Sequence, residues 1–166
     1  AGATGGRNLV DFKENVSDAT KVRVLAFIDR AAKGMHYPPS EQAVADINPE
    51  ITAAVANTWS DVIVGVKSAH YWAKHEDADH PIWASIDGAI KAASMSGKIV
   101  MVDSIPIVPE RSYPDLLARL RPGAVHTPVF AQQFPQLADN GPMQPYLLTE
   151  QERGVPLAVG PGSAHL

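Results

Sequence analysis

The chain of 166 residues contains no cysteine. That excludes disulfides, thiolate metal sites and a cysteine nucleophile, and it leaves the compartment open. It also lacks a basic surplus: 14 Lys and Arg stand against 18 Asp and Glu, a net charge of −4 with a pI near 5.8. No basic surface therefore points to nucleic acid. No run approaches the roughly 18 apolar residues of a membrane helix. No signal peptide is visible, and the chain begins at Ala1 without Met. The expectation is a soluble chain with a processed, trimmed or fragmentary N-terminus, either cytoplasmic or exported after processing.

What is present is ordinary globular material. The hydrophobic fraction is 45%, enough for a real core, and the length predicts one domain spanning residues 1–166. Fourteen prolines and twelve glycines imply many loops between short elements.

The pattern alternates short apolar runs with helical spacing. Asn8–Val16 reads as a short helix. Val22–Ile28 (VRVLAFI) reads as a strand covered on both faces, followed by a long loop from Arg30 to Asp46. Asn48-Pro49-Glu50 is a helix start, with a capping Asn, Pro at the first helical position and an acid in the first turn. That helix runs to about Trp59. Val62–Val66 is a second strand, Trp83–Ser96 a helix stopped by Gly97, and Ile99–Val102 a third strand. Ser112–Leu120 is a helix, Val125–Phe130 a weaker strand, Tyr146–Arg153 a helix stopped by Gly154, and Val155–Val159 a fifth strand. Apolar strands alternating with amphipathic helices predict an α/β protein with a parallel sheet. Two architectures fit: a doubly wound open sheet or part of a (β/α)8 barrel. Both place working residues at the C-terminal ends of the strands.

Those ends are polar. They read Asp29-Arg30, Lys67-Ser68-Ala69-His70, Asp103-Ser104 and His126-Thr127-Pro128, with the glycine-proline loop Gly160–Ser163 last. A lysine, an aspartate and histidines on one rim suggest a metal or proton-transfer site. Each has a plainer reading. Lys67 is a rim lysine that snorkels or pairs with Asp103. Asp103 caps the following turn, and His126 is a satisfied interior histidine. His75, His80, Glu76, Asp77 and Asp79 fall in the loop after Tyr71 and Trp72. Their spacing fits no helical face, so they read as a solvated loop rather than a zinc site. The 160–163 loop is either an anion cradle or a simple turn.

The segments DVIVGVKSAHYW, KIVMVDS, LRPGAVHTPVF and ERGVPLAVGPGSAHL resemble, in collinear order, the metal-dependent amidohydrolase superfamily, in its dihydroorotase-like and deacetylase-like branch. AGATGGRNLVDFKENV and KVRVLAFID resemble the stretches around its second and third strands. The resemblance implies an incomplete (β/α)8 TIM-barrel-like segment with about five parallel strands. It implies hydrolysis of an amide, N-acyl or cyclic amide bond of a small substrate. The cofactor implied is a divalent metal, zinc first. Lys67 would bridge metals as a carbamate, Asp103 would be a metal ligand and His126 a further candidate ligand, with His70 and Tyr71 on the substrate side.

The departures from that pattern are specific. The His-x-His pair of the family's first strand and the acid after its last strand have no counterpart in these residues. The strand-five ligand is Asp103 where histidine is common. The strand-six histidine aligns with Pro128, and His126 lies two residues earlier. The Gly-His-Gly of the strand-seven loop is Gly160-Pro161-Gly162. Two readings follow. One is a metal-dependent C–N hydrolase. The other is a non-catalytic assembly or scaffold subunit that keeps the fold without the metal. Five strands do not close a barrel, and open apolar edges pair with something. The expected partner is therefore a second copy or another chain that completes the sheet.

Overall fold

The computed structural model describes residues 4–35, 37–73, 75–103, 107–127, 137 and 141–156. Four strands are present among them: β1 (Ala26–Asp29), β2 (Ile63–Ser68), β3 (Ile99–Val102) and β4 (Val125–His126). All neighbours are parallel and the order is β1-β2-β3-β4. A doubly wound sheet reverses its strand order at a switch point, whereas a (β/α)8 barrel adds each strand beside the last. The described strands show no reversal. The architecture is an α/β segment of barrel type.

Helices fill every crossover. A helical stretch at the N-terminus contains α1 (Leu9–Phe12). Between β1 and β2 lie α2 (Pro38–Gln42) and α3 (Pro49–Thr58). Next come α4 (Ala84–Ser96) before β3, α5 (Tyr113–Arg119) before β4, and α6 (Pro145–Glu152) after it. The local chemistry explains the ends. Asn48 Oδ1 accepts the Ile51 amide at 2.9 Å with Pro49 in the first turn. Ser112 Oγ accepts the Asp115 amide at 3.2 Å. Gly97 ends α4 in the left-handed region at φ 65°.

Three expectations change. The first strand starts at Ala26 rather than Val22, and Val22 and Leu25 are exposed rather than covered. The reason is register: Ala26 already partners Ile63, the first residue of β2, so nothing earlier on β2 is left to pair. The stretch from Arg30 to Asp46 is more than a loop, because its proline pair opens α2 and a 3-10 turn follows at Val44–Asp46. The strand expected over Val125–Phe130 is seen as Val125–His126, and residues 128–130 lie outside those described. The fifth strand lies mostly outside as well. Its start does meet β4: the His126 amide donates to Pro156 O at 3.3 Å, and just ahead of both segments the Gly123 amide donates to Gly154 O at 2.7 Å.

Side-chain alternation divides the sheet. Ile28, Val66, Val100 and Val102 share one face, which packs with Ala89, Ala92 and Ala93 of α4 and Leu116 and Leu117 of α5. Each fully buried Ile or Val of this layer is worth about 1.5–3 kcal/mol. The opposite face carries Phe27, Gly65, Lys67 and Met101. Gly65 has a steric reason: a Cβ there would sit 2.3 Å from the Phe27 ring and 2.8 Å from Ile99 O. The sheet thus has a helix-covered side and a side on which Lys67 stands.

Candidate functional site

The C-terminal ends of β1, β2 and β3 meet in register. Asp29 partners Lys67, and Lys67 partners Met101, two residues before Asp103. Alternation sets the Lys67 and Asp103 side chains on the same side of the sheet. There Lys67 Nζ lies 2.7 Å from Asp103 Oδ2, with 11% of the lysine side chain and 19% of the aspartate exposed. Little water reaches this pair, so each charge depends on the other to offset its desolvation. Asp103 is fixed by its own backbone, since its amide donates to Ser68 O at 2.9 Å.

Beside this pair lies a denser polar network. Arg30 is 1% exposed and spends its guanidinium on four acceptors. Nε donates to Ser85 Oγ at 2.7 Å, Nη1 to Asp29 Oδ1 at 2.9 Å, and Nη2 to Glu41 O at 2.8 Å and Ala69 O at 3.0 Å. Ser85 Oγ in turn lies 2.6 Å from Ser68 Oγ. Asp29 Oδ1 also accepts the Ala31 amide at 2.7 Å. Burial pushes the Asp29 carboxyl up to about 6, against the opposing pull of Arg30. Two carboxylate oxygens here, Asp29 Oδ2 and Glu41 Oε1, are buried with no hydrogen-bond partner among the described residues. Buried carboxylate oxygens without partners are unusual and costly.

His70 stands at the edge of the network, against Glu41. Its Nδ1 lies 3.4 Å from Glu41 Oε2, and 33% of its side chain is exposed while Glu41 is 2% exposed. Glu41 holds the imidazole above its usual histidine value; Asp103 adds to that pull, and burial and Lys67 oppose it. The His70 backbone is left-handed at φ 51°, the one positive-φ position among the described residues that is not glycine.

The other predicted residues sit elsewhere. His126 shares its side of the sheet with Val102 and Ser68, the helix-covered side opposite Lys67. Its Nδ1 lies 3.2 Å from the Tyr113 hydroxyl of α5, and the two rings meet edge-to-face. Burial pushes the imidazole down to about 4. The structure therefore brings Lys67 and Asp103 together and separates His126 from them. Tyr71 is fully buried, and its hydroxyl donates to Pro81 O at 3.0 Å; a buried phenol needs such an acceptor. His75 and His80 are exposed, the first near Glu110 and the second near Asp77. Among the described residues no three His, Asp or Glu side chains converge as metal ligands. Ser104, Pro128 and the 160–163 loop lie outside the described residues.

Sequence reasoning placed Arg30 at a strand end without giving it a role, and missed Glu41 and Arg111. Arg111 is fully buried and donates to Ile82 O at 2.8 Å and Tyr71 O at 3.4 Å. The available signal was Arg30 itself, a second charge directly after a strand-end aspartate. Glu41, read as a loop residue, had none.

No family profile matches the chain, and no curated protein matches it in sequence. Solved structures do match it in fold. It is similar to an adenine deaminase at 16% identity and a TM-score of 0.77, over 96% of this chain and 43% of that one. It is similar to a dihydroorotase at 21% identity and a TM-score of 0.73, over 98% of this chain and 50% of that one. This chain spans half or less of the length of either.

Proposed function

We propose that this chain carries part of the active site of an amidohydrolase-type enzyme of the dihydroorotase-like or deacetylase-like kind. The reaction is hydrolysis of an amide, N-acyl or cyclic amide bond in a small molecule. One observation carries the reading: a largely buried lysine at the end of β2 touches a carboxylate at the end of β3, at 2.7 Å, on the rim where barrel enzymes work.

The donors fit a divalent metal in one form. Carboxylated at Nζ, Lys67 becomes an anion with two oxygens, beside the Asp103 carboxylate, and hard oxygen donors of this kind suit zinc, manganese or magnesium. Two such residues are the start of a ligand set; the remainder would come from residues beyond those described or from whatever completes the barrel. His126 is outside the set because it faces α5. Bound there, a divalent metal would polarise an amide carbonyl and lower the pKa of water. Asp103 would keep the lysine oriented, His70 would meet the substrate, and Tyr71 would brace the loop from beneath through Pro81.

A second reading is a non-catalytic subunit that keeps the fold for assembly. The thin donor set favours it, since without carboxylation Lys67 is a cation and no trio of His, Asp or Glu converges among the described residues. In both readings the open side of the sheet is completed by a second copy or a partner chain.

Metal analysis after growth with zinc and bicarbonate separates the two. The hydrolase reading expects about one or two zinc ions per chain, lost in Lys67→Ala together with hydrolysis of N-acetyl-amino acids and cyclic amides. Metal well below stoichiometry in the wild-type chain rejects it. Light scattering after gel filtration gives the assembly state, and a compact monomer counts against a completing partner.

A further inference from the structure

We infer that His70 is the proton donor of this rim and that Glu41 and Gln42 of α2 are its positioning residues. The inference rests on the reading of the site as an amide hydrolase. It starts from a conformational oddity. His70 holds a left-handed backbone at φ 51°, and such positions persist only where the surroundings over-determine them.

Here they do. Residues 69–72 are gripped at each peptide. Arg30 Nη2 donates to Ala69 O at 3.0 Å. Gln42 Nε2 donates to His70 O, and Gln42 Oε1 accepts the Trp72 amide at 2.9 Å. Arg111 Nη2 reaches Tyr71 O, and the Tyr71 hydroxyl donates to Pro81 O. One glutamine side chain thus bridges both flanks of Tyr71 and fixes the turn that presents His70.

The next residue in α2 aims the ring. Glu41 is 2% exposed and its Oε2 lies 3.4 Å from His70 Nδ1, while its Oε1 has no partner among the described residues. A carboxylate on one ring nitrogen fixes the tautomer and leaves Nε2 as the working nitrogen. The ring stays one-third exposed, so a substrate can reach it. The charged groups acting on His70 are Glu41 from α2, Asp103 from the end of β3 and Lys67 from β2. The Trp72 ring stands 6.3 Å from the imidazole.

The step balances simply. The oxygen of water bonds to the amide carbon, and the C–N bond breaks. The Nε2 proton of the imidazolium passes to the departing nitrogen, and the proton released by the water restores the imidazolium. The products are a carboxylic acid and an amine, and no electrons change hands.

The test uses the full chain with Glu41→Gln and His70→Gln variants, metal-free for the NMR titration and zinc-loaded for the kinetics. The first measurement is the pH titration of nitrogen-15-labelled histidines by NMR, with His70 assigned from its loss in H70Q. The expected result is a wild-type His70 that titrates above the ordinary histidine value and falls toward it in E41Q. The second is kinetics on N-acetyl-amino acids and cyclic amides. H70Q is expected to lose about 100-fold in kcat with zinc content unchanged. E41Q is expected to move the alkaline limb of the kcat profile to lower pH. Full kcat in H70Q, or a His70 titration indifferent to E41Q, overturns this inference and leaves the hydrolase reading standing. A zinc-loaded wild-type chain that cleaves none of these substrates overturns the hydrolase reading, and the proton-donor role falls with it.

Discussion

His70 and His126 close the same rim in opposite ways. His70 follows β2 and stands beside a buried carboxylate, with Lys67 and Asp103 near and a third of its side chain in water. His126 ends β4 on the other side of the sheet, under the Tyr113 ring and hydroxyl, and Tyr113 meets Tyr146 edge-to-face. Glu41 holds the first imidazole toward its charged form, and burial holds the second neutral. The β1–β2 end of the rim is therefore built from charge that is compensated group by group. The β4 end sets His126 against aromatic surface, where burial outweighs the more distant pull of Asp103. Residue type alone does not decide a histidine's role; its neighbours set which protonation state is cheap.

The comparison can be broken at its charged end first. Arg30→Ala leaves the Asp29 carboxylate buried without its guanidinium and frees Glu41 O and Ala69 O. We expect a loss of about 3–5 kcal/mol, read as a lower midpoint in urea. Arg30→Lys should recover only part of it, because one ammonium cannot span Ser85, Asp29, Glu41 and Ala69 as the planar fork does.

The second test sharpens the contrast through pH. His126 titrates near 4 in the fold against an ordinary 6.5, so the unfolded chain binds the extra proton between those values. Its contribution to stability is whole above about pH 6.5 and drains away as pH falls toward 4, on the order of 3 kcal/mol. Asp29 has the opposite sign. Its folded value near 6 exceeds the ordinary 3.8, so the fold takes up the proton first, and its contribution grows as pH falls through 6. Stability against pH should therefore slope less steeply in the wild type than in Asp29→Asn, while His126→Phe should remove the acid-side loss. Equal slopes for the wild type and His126→Phe would contradict a neutral, buried His126.

The smallest effect belongs to the aromatic end. Tyr113→Phe removes the hydrogen bond to His126 and keeps the ring contacts with His126 and Tyr146. The expected cost is about 1 kcal/mol by thermal denaturation. A much larger loss would mean that the hydroxyl, rather than the rings, anchors β4.

Much of the fold was legible because it rests on local chemistry. The Asn48-Pro49 start of α3, the Gly97 stop of α4 and the Ser112 cap of α5 are each set by a few adjacent residues. The apolar runs at Ile63 and Ile99 read as strands because each is short and rich in β-branched residues. The start of β1 was not legible, because it depends on where β2 begins to offer partners. The site divides along the same line. Lys67 and Asp103 were visible as polar residues ending apolar runs. His126 looked equivalent on that ground, yet the register with Val102 turns it to the helices. Glu41 and Gln42 were invisible because a five-residue helix far along the chain brings them under His70.

Sequence by itself determined the parallel α/β alternation, the helix caps and the polar strand ends, all properties of short windows and their periodicity. The strand pattern alone left a doubly wound sheet and a barrel-type segment open; the strand order, a relation between distant residues, bears out the barrel-type segment that the family resemblance implied. Only the tertiary structure decided which rim groups share a face, because that follows from register. And it alone gave His70 a charged partner and His126 an aromatic one, because burial and neighbours come from packing, which no single stretch of chain contains.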